Sequence, residues 1–167
     1  MQLRIIIAAA VLSSSAGSAQ TAGCDTPESR QFDFWVGRWT VSPYAQPEKR
    51  VADSLIEKLY AGCGVRETWA PLKGGGGGSL NSYVPAEKAW RQTWIDSGDS
   101  RAEFKGGWTG TAMVLTGVWP QPGHPDQLTR MTYTPLPDGA VRQSGETSDD
   151  GGKTWAASFD FLYRKAP

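Results

Sequence analysis

Along most of this chain apolar and polar residues alternate one by one, and glycine, proline or aspartate interrupts the alternation about every eight to twelve residues. Period two is the signature of strands with one face buried and one face wet. It predicts strands near Trp39 to Pro43, Ser54 to Tyr60, Val65 to Pro71, Ser79 to Val84, Trp90 to Asp96, Arg101 to Gly106, Ala112 to Trp119, Gln127 to Thr134, Ala140 to Glu146 and Thr154 to Arg164. One helix is expected before them. Thr26 caps it, Pro27 suits its first position and Gly37 its end, while Phe32, Trp35 and Val36 share one face. Short connections and the lack of a long crossover point to an all-β fold, an antiparallel up-and-down barrel of about eight to ten strands plugged by the helix. A two-sheet sandwich is the alternative.

Alternation also sorts the side chains by face. One face of three successive strands reads Val65, Glu67, Trp69, then Ser79, Asn81, Tyr83, then Trp90, Gln92, Trp94, Asp96. The opposite face reads Arg66, Thr68, Ala70, then Leu80, Ser82, Val84, then Arg91, Thr93, Ile95. The first set carries the large aromatics and so belongs inside, where their burial stabilises most. In the last strand, Trp155, Ala157, Phe159, Phe161 and Tyr163 form an apolar face, with Ser158, Asp160 and Arg164 opposite. Leu128 to Met131 is mixed on both sides.

An interior holding Glu67, Asn81, Gln92 and Asp96 among tryptophans is more polar than a core built only for stability, because each unpaired buried polar group costs about 1 to 3 kcal/mol. Either these groups satisfy one another beneath an aromatic layer, or they line a ligand cavity. Aromatic walls with a few polar groups are the usual construction of a small-molecule site. The candidate ligand-binding residues are therefore Glu67, Trp69, Asn81, Tyr83, Trp90, Gln92, Trp94 and Asp96.

The first residues read as an export signal: Arg4, the apolar run Ile5 to Leu12, then small residues to Ala19, after which cleavage is placed. That leaves residues 20–167 as a single domain. The run is too short for a bilayer core, which takes roughly 20 apolar residues, and no later segment approaches that length. Lipidation at Cys24 is disfavoured, because Thr21 stands three residues before it and polar residues separate it from the apolar run. In an oxidising compartment Cys24 and Cys63 pair, stabilising the fold by about 4 kcal/mol in the chain-entropy model. Two buried free thiols are the alternative.

Seventeen basic residues balance seventeen acidic ones, and the basic residues are scattered, which argues against nucleic acid as a partner. Gly74 to Gly78 follows Lys73 and lacks the Gly-Lys-Ser/Thr of a phosphate loop, so it reads as a hairpin connection or a lid at the barrel mouth. His124, the one histidine, lies between prolines in a loop and reads as exposed rather than as a haem or metal ligand. No cofactor and no metal site is expected.

Gly37-Arg38-Trp39 after a short helix resembles the opening of the lipocalins and fatty-acid-binding proteins, the calycin group. That resemblance implies that Trp39 packs at the closed end against an arginine of the last strand, here Arg164. The run Phe32 to Trp39, Gly62-Cys63 with Glu67 and Trp69, Ser79-x-Asn81-x-Tyr83 and Trp90-x-Gln92-x-Trp94-x-Asp96 resemble a family of exported bacterial calycin-like domains. This similarity spans nearly all of the mature chain and implies the barrel, but no catalytic residue. Ser148-x-Asp150-x-Gly152-x-Thr154-Trp155 is similar to the Asp-box of secreted β-proteins, which implies a structural hairpin with Asp150 and Trp155 as its anchors.

Together these readings point to an exported barrel binding an unknown small amphipathic molecule. The alternatives are a hydrolase or isomerase using Glu67 or Asp96 as a base raised in pKa by burial, and an envelope module that binds a protein through its outer strand face.

Overall fold

The structure is a computed structural model and describes residues 24–167. The expected export signal and its cleavage site lie outside the described residues. Ten strands form a single antiparallel meander: β1 (Gly37–Pro43), β2 (Ala52–Leu59), β3 (Gly64–Pro71), β4 (Gly77–Val84), β5 (Ala89–Asp96), β6 (Arg101–Trp108), β7 (Met113–Val118), β8 (Leu128–Pro135), β9 (Val141–Ser148) and β10 (Ala156–Lys165). Each strand pairs with its sequence neighbours, and β10 returns to β1 from Trp39 opposite Lys165 to Pro43 opposite Phe161. The sheet therefore closes into a barrel without an open edge, and the sandwich alternative is set aside. All ten strands fall where alternation places them, within two residues at either end.

The expected helix is two 3-10 turns, Glu28–Arg30 and Asp33–Trp35, separated where Phe32 leaves helical geometry at φ −104° and ψ 6°. Thr26 does cap the first turn, its Oγ1 accepting the Ser29 amide at 3.2 Å. The break lets both Phe32 and Trp35 turn into the barrel, where neither is exposed at all. Their rings stack with centroids 5.0 Å apart, and both pack on Tyr133 of β8. Trp39 of β1 donates its Nε1 to the Trp35 carbonyl at 2.8 Å. The closed end of the barrel is thus an aromatic floor.

The cation on that floor is not the expected one. Lys165 Nζ lies 3.8 Å from the centroid of the Trp39 indole and donates to the Val36 carbonyl at 2.8 Å. Arg164 is exposed on the outer face and reaches only the Pro47 carbonyl at 3.5 Å. Strand parity is the reason: Lys165 shares a face with Tyr163 and Phe161 and pairs directly with Trp39, whereas Arg164 points the other way.

A second correction concerns β10. A bulge between Ala157 and Phe159 reverses the alternation, so Phe159, Phe161 and Tyr163 face the lumen while Ala157 is exposed. Trp155 lies outside as well, with the Arg130 guanidinium 4.1 Å from its ring centroid. Gly145 on β9 makes the bulge possible, since a Cβ there would meet the Phe159 ring at 2.2 Å.

Cys24 and Cys63 are joined in a disulfide that ties the start of the plug to the turn between β2 and β3. With its sulfur so engaged, Cys24 offers no free thiol for acylation. Replacing both cysteines by alanine is expected to lower the unfolding free energy by about 3 to 4 kcal/mol. Denaturant titration measures this; an unchanged midpoint would mean that Phe32 and Trp35 hold the plug without covalent help.

Candidate functional site

At the end opposite the plug the barrel opens into a cavity of about 230 Å³. The connections 44–51, 72–76, 97–100, 119–127 and 149–155 lie at this end. Its walls are Trp69 of β3, Trp94 of β5, Phe104 of β6, Trp119 just after β7, and Phe159 and Phe161 of β10; its floor is Glu67, Gln92, Met131, Tyr133, Gln143 and Tyr163. Each wall residue arrives by strand parity, but two of the rings also need glycine. Gly77 on β4 carries no side chain because a Cβ would meet the Trp94 ring at 2.7 Å, and Gly145 makes the same allowance for Phe159.

The mouth tryptophans are held by their N–H edges. Trp94 Nε1 donates to Asp96 Oδ2 at 2.9 Å, and Trp119 Nε1 donates to Ser100 Oγ at 2.5 Å. Their rings sit 6.0 Å apart by centroid, and across the mouth Trp69 lies 5.5 Å from Phe161. Polar edges bonded at the rim leave apolar ring surface to the cavity.

Beneath these rings runs a hydrogen-bond network with one direction. Gln92 Nε2 donates to Asn81 Oδ1 at 2.6 Å, Asn81 Nδ2 donates to Ser79 Oγ at 3.0 Å, and Ser79 Oγ donates to Glu67 Oε2 at 3.5 Å. From the other side Ser54 Oγ donates to Glu67 Oε1 at 2.9 Å, and Tyr163 Oη lies 3.4 Å from the same oxygen while donating to Gln143 Oε1 at 2.5 Å. Gln92 Nε2 also reaches Tyr133 Oη at 3.3 Å. The donors converge on one carboxyl. Glu67 is 4% exposed, and burial pushes its pKa from 4.5 up to about 7 although hydrogen bonds from Ser54, Tyr163 and Ser79 oppose the rise. Burial and the Glu67 charge also push Tyr133 and Tyr163 well above the usual phenol range, so both are neutral hydroxyls.

Of the eight candidate residues, the structure brings Glu67, Trp69, Gln92 and Trp94 together on the cavity. Asn81 faces inward but lies below, fully buried, bonding Gln92 and the Val65 carbonyl. Tyr83 and Trp90 face inward at the closed end, where Trp90 packs edge-on against Phe32 and donates to Gln31. Asp96 is a rim residue: burial disfavours its charge, but the Trp94 indole and the Gly98 and Ser100 amides outweigh that and hold its pKa below the ordinary value. That direction is the opposite of the one a base raised by burial requires. Phe104, Trp119, Met131, Tyr133 and Gln143 line the cavity without being among the eight, although the inward positions Thr129, Met131 and Tyr133 on β8 keep strict parity.

The rim motifs are structural. Asp150 accepts from the Lys153 and Thr154 amides at 2.9 Å and from Ser148 Oγ at 2.8 Å, and Trp155 Nε1 donates to the Gly152 carbonyl at 3.0 Å, closing the β9 to β10 hairpin. His124 is exposed, its Nδ1 3.0 Å from Asp149 Oδ1. Among the described residues no group of three His, Cys, Asp or Glu side chains could hold a metal ion, and no helix is long and apolar enough to cross a membrane. No protein-family model matches the chain, and no curated protein matches it.

Glu67 also sets a pH dependence of stability. Between pH 4.5 and about 7 the folded state holds a proton that the unfolded chain has released, so stability falls as pH rises through that window. The gap from 4.5 to about 7 corresponds to roughly 3 kcal/mol. Glu67→Gln is expected to remove this slope and to be more stable than the parent at pH 8. Urea titrations at pH 5, 6, 7 and 8 measure it; parallel profiles for the two proteins would show that the carboxyl is not desolvated.

Proposed function

We propose that this chain is an exported, calycin-like barrel that binds a small amphipathic molecule in its mouth, the apolar part against the Trp69, Trp94, Trp119 and Phe161 rings and the polar part at Glu67. The observation that carries this reading is the buried Glu67 carboxyl at the floor of an open cavity with aromatic walls. A stability core has no use for a carboxyl there, since an apolar side chain of similar volume avoids the desolvation cost. A site that must recognise one polar group does. The volume of about 230 Å³ sets the size: a cavity of about 150 Å³ accommodates benzene, so one ring or a short branched chain with a polar group fits, and a fatty acid does not. The disulfide favours an oxidising compartment and with it the export reading.

Catalysis is the second reading, favoured by the pKa of Glu67 at about 7, which suits a general base at neutral pH. Native mass spectrometry of protein purified from its own host, under conditions that keep ligands bound, tests the first. A co-purified mass below about 200 Da is expected, reduced at least tenfold in Trp94→Ala. An empty cavity in every preparation, together with no quenching of tryptophan fluorescence by any member of a small-molecule library, contradicts binding. A library compound consumed by the parent and spared by Glu67→Gln moves the reading to catalysis.

A further inference from the structure

Eight of the twelve residues lining the mouth cavity carry aromatic rings, and Glu67 is the one charged group among them, with no Lys, Arg or His. Resting on the binding reading above, we infer that the ligand is a small organic cation carrying a methyl-substituted ammonium, seated among the Trp69, Trp94, Trp119 and Phe161 ring faces with Glu67 as its counter-ion.

Three features select this chemistry. The ring faces are the part presented to the cavity, because the Trp94 and Trp119 N–H edges are engaged at Asp96 and Ser100, and an aromatic face attracts a cation through its quadrupole. The network beneath is made of donors. Gln92, Asn81, Ser79 and Ser54 all direct their hydrogen-bond donors toward Glu67, and Tyr163 Oη lies 3.4 Å from it, so the carboxyl is placed to accept and to carry charge. Besides Glu67 itself, one side-chain amide oxygen is left unbonded on the floor, Gln92 Oε1: Gln143 Oε1 is taken by Tyr163 at 2.5 Å, and Asn81 Oδ1 by Gln92 Nε2 at 2.6 Å. A primary ammonium needs three acceptors, whereas a methylated one needs none. Anions meet the Glu67 carboxyl with no compensating cation on the lining, and neutral ligands leave its charge unpaired.

The same arrangement couples binding to a proton. The groups facing Glu67 are Ser54 from β2, Ser79 from β4, Gln92 from β5, Tyr133 from β8, Gln143 from β9 and Tyr163 from β10. Among these only the two phenols titrate, far above neutrality, so the cation is the sole charge that balances the carboxylate. Below pH 7 a bound cation displaces the Glu67 proton to solvent.

The test uses the full mature chain and two probes of one shape and different charge, choline and its neutral isostere 3,3-dimethylbutan-1-ol, titrated calorimetrically. Choline is expected to bind at least tenfold tighter at pH 8, with the advantage shrinking severalfold by pH 5.5. At pH 6, titrations in two buffers of different ionisation enthalpy should report release of most of one proton. Glu67→Gln should cut choline affinity at least tenfold and change that of the isostere less than twofold; Trp94→Leu, with near-ultraviolet circular dichroism confirming the fold, should weaken choline more than the isostere. Tighter binding of the isostere, or choline binding without proton release at pH 6, overturns this inference and leaves the binding reading standing. If neither probe binds and the host-purified protein is empty, both fall.

Discussion

A carboxyl buried in an aromatic barrel is expensive unless its neighbours are arranged for it, and the interior of this protein is arranged around Glu67. Six strands besides β3 contribute to one network, in which side chains of β2, β4 and β10 reach the carboxyl directly and those of β5, β8 and β9 orient them. The network separates the barrel into two levels. Below it, Phe32, Trp35, Trp39 and Trp90 pack at the closed end, Phe32 and Trp35 against Tyr133 of the network itself, with interplanar angles typical of offset and edge-on aromatic pairs. Above it, the rings stand apart and leave space. Burial, polarity and volume thus change together over the length of one strand.

Closure gives this arrangement its rigidity. With no open edge, every strand is held on both sides, and the outer face carries paired charges such as Arg142 with Asp160 and Arg130 with Glu146 across β9. Exposed pairs of this kind add little stability individually; they keep the outer face polar while the inner face carries the aromatic rings. The disulfide ties the plug to the turn between β2 and β3, so the closed end of the barrel is held covalently as well as by packing.

The barrel was legible in the chain because the strands keep period two over most of their length and end within a few residues of a glycine, proline or aspartate. Face was legible too: Glu67, Trp69, Gln92 and Trp94 all turn inward as alternation requires. Depth was not, because alternation says which side a residue occupies and nothing of its height along the barrel axis. Tyr83 and Trp90 share a face with Trp94 and still belong to the floor. Trp155 and Ala157 fell outside because a bulge at Ser158 adds one residue and inverts everything before it, a feature whose only trace in sequence is Gly145 on the partner strand. Lys165 illustrates the reverse case: alternation from Tyr163 points to it, whereas the family resemblance points to Arg164.

The ionisation of Glu67 is the point on which the site turns, since an aromatic-walled cavity and a perturbed carboxyl are two views of one environment. A 13C-detected NMR titration of the Glu67 side-chain carboxyl in the ligand-free protein measures it directly. A midpoint near 7 is expected; a midpoint in the ordinary glutamate range would mean that water reaches the carboxyl freely, and would contradict a desolvated Glu67.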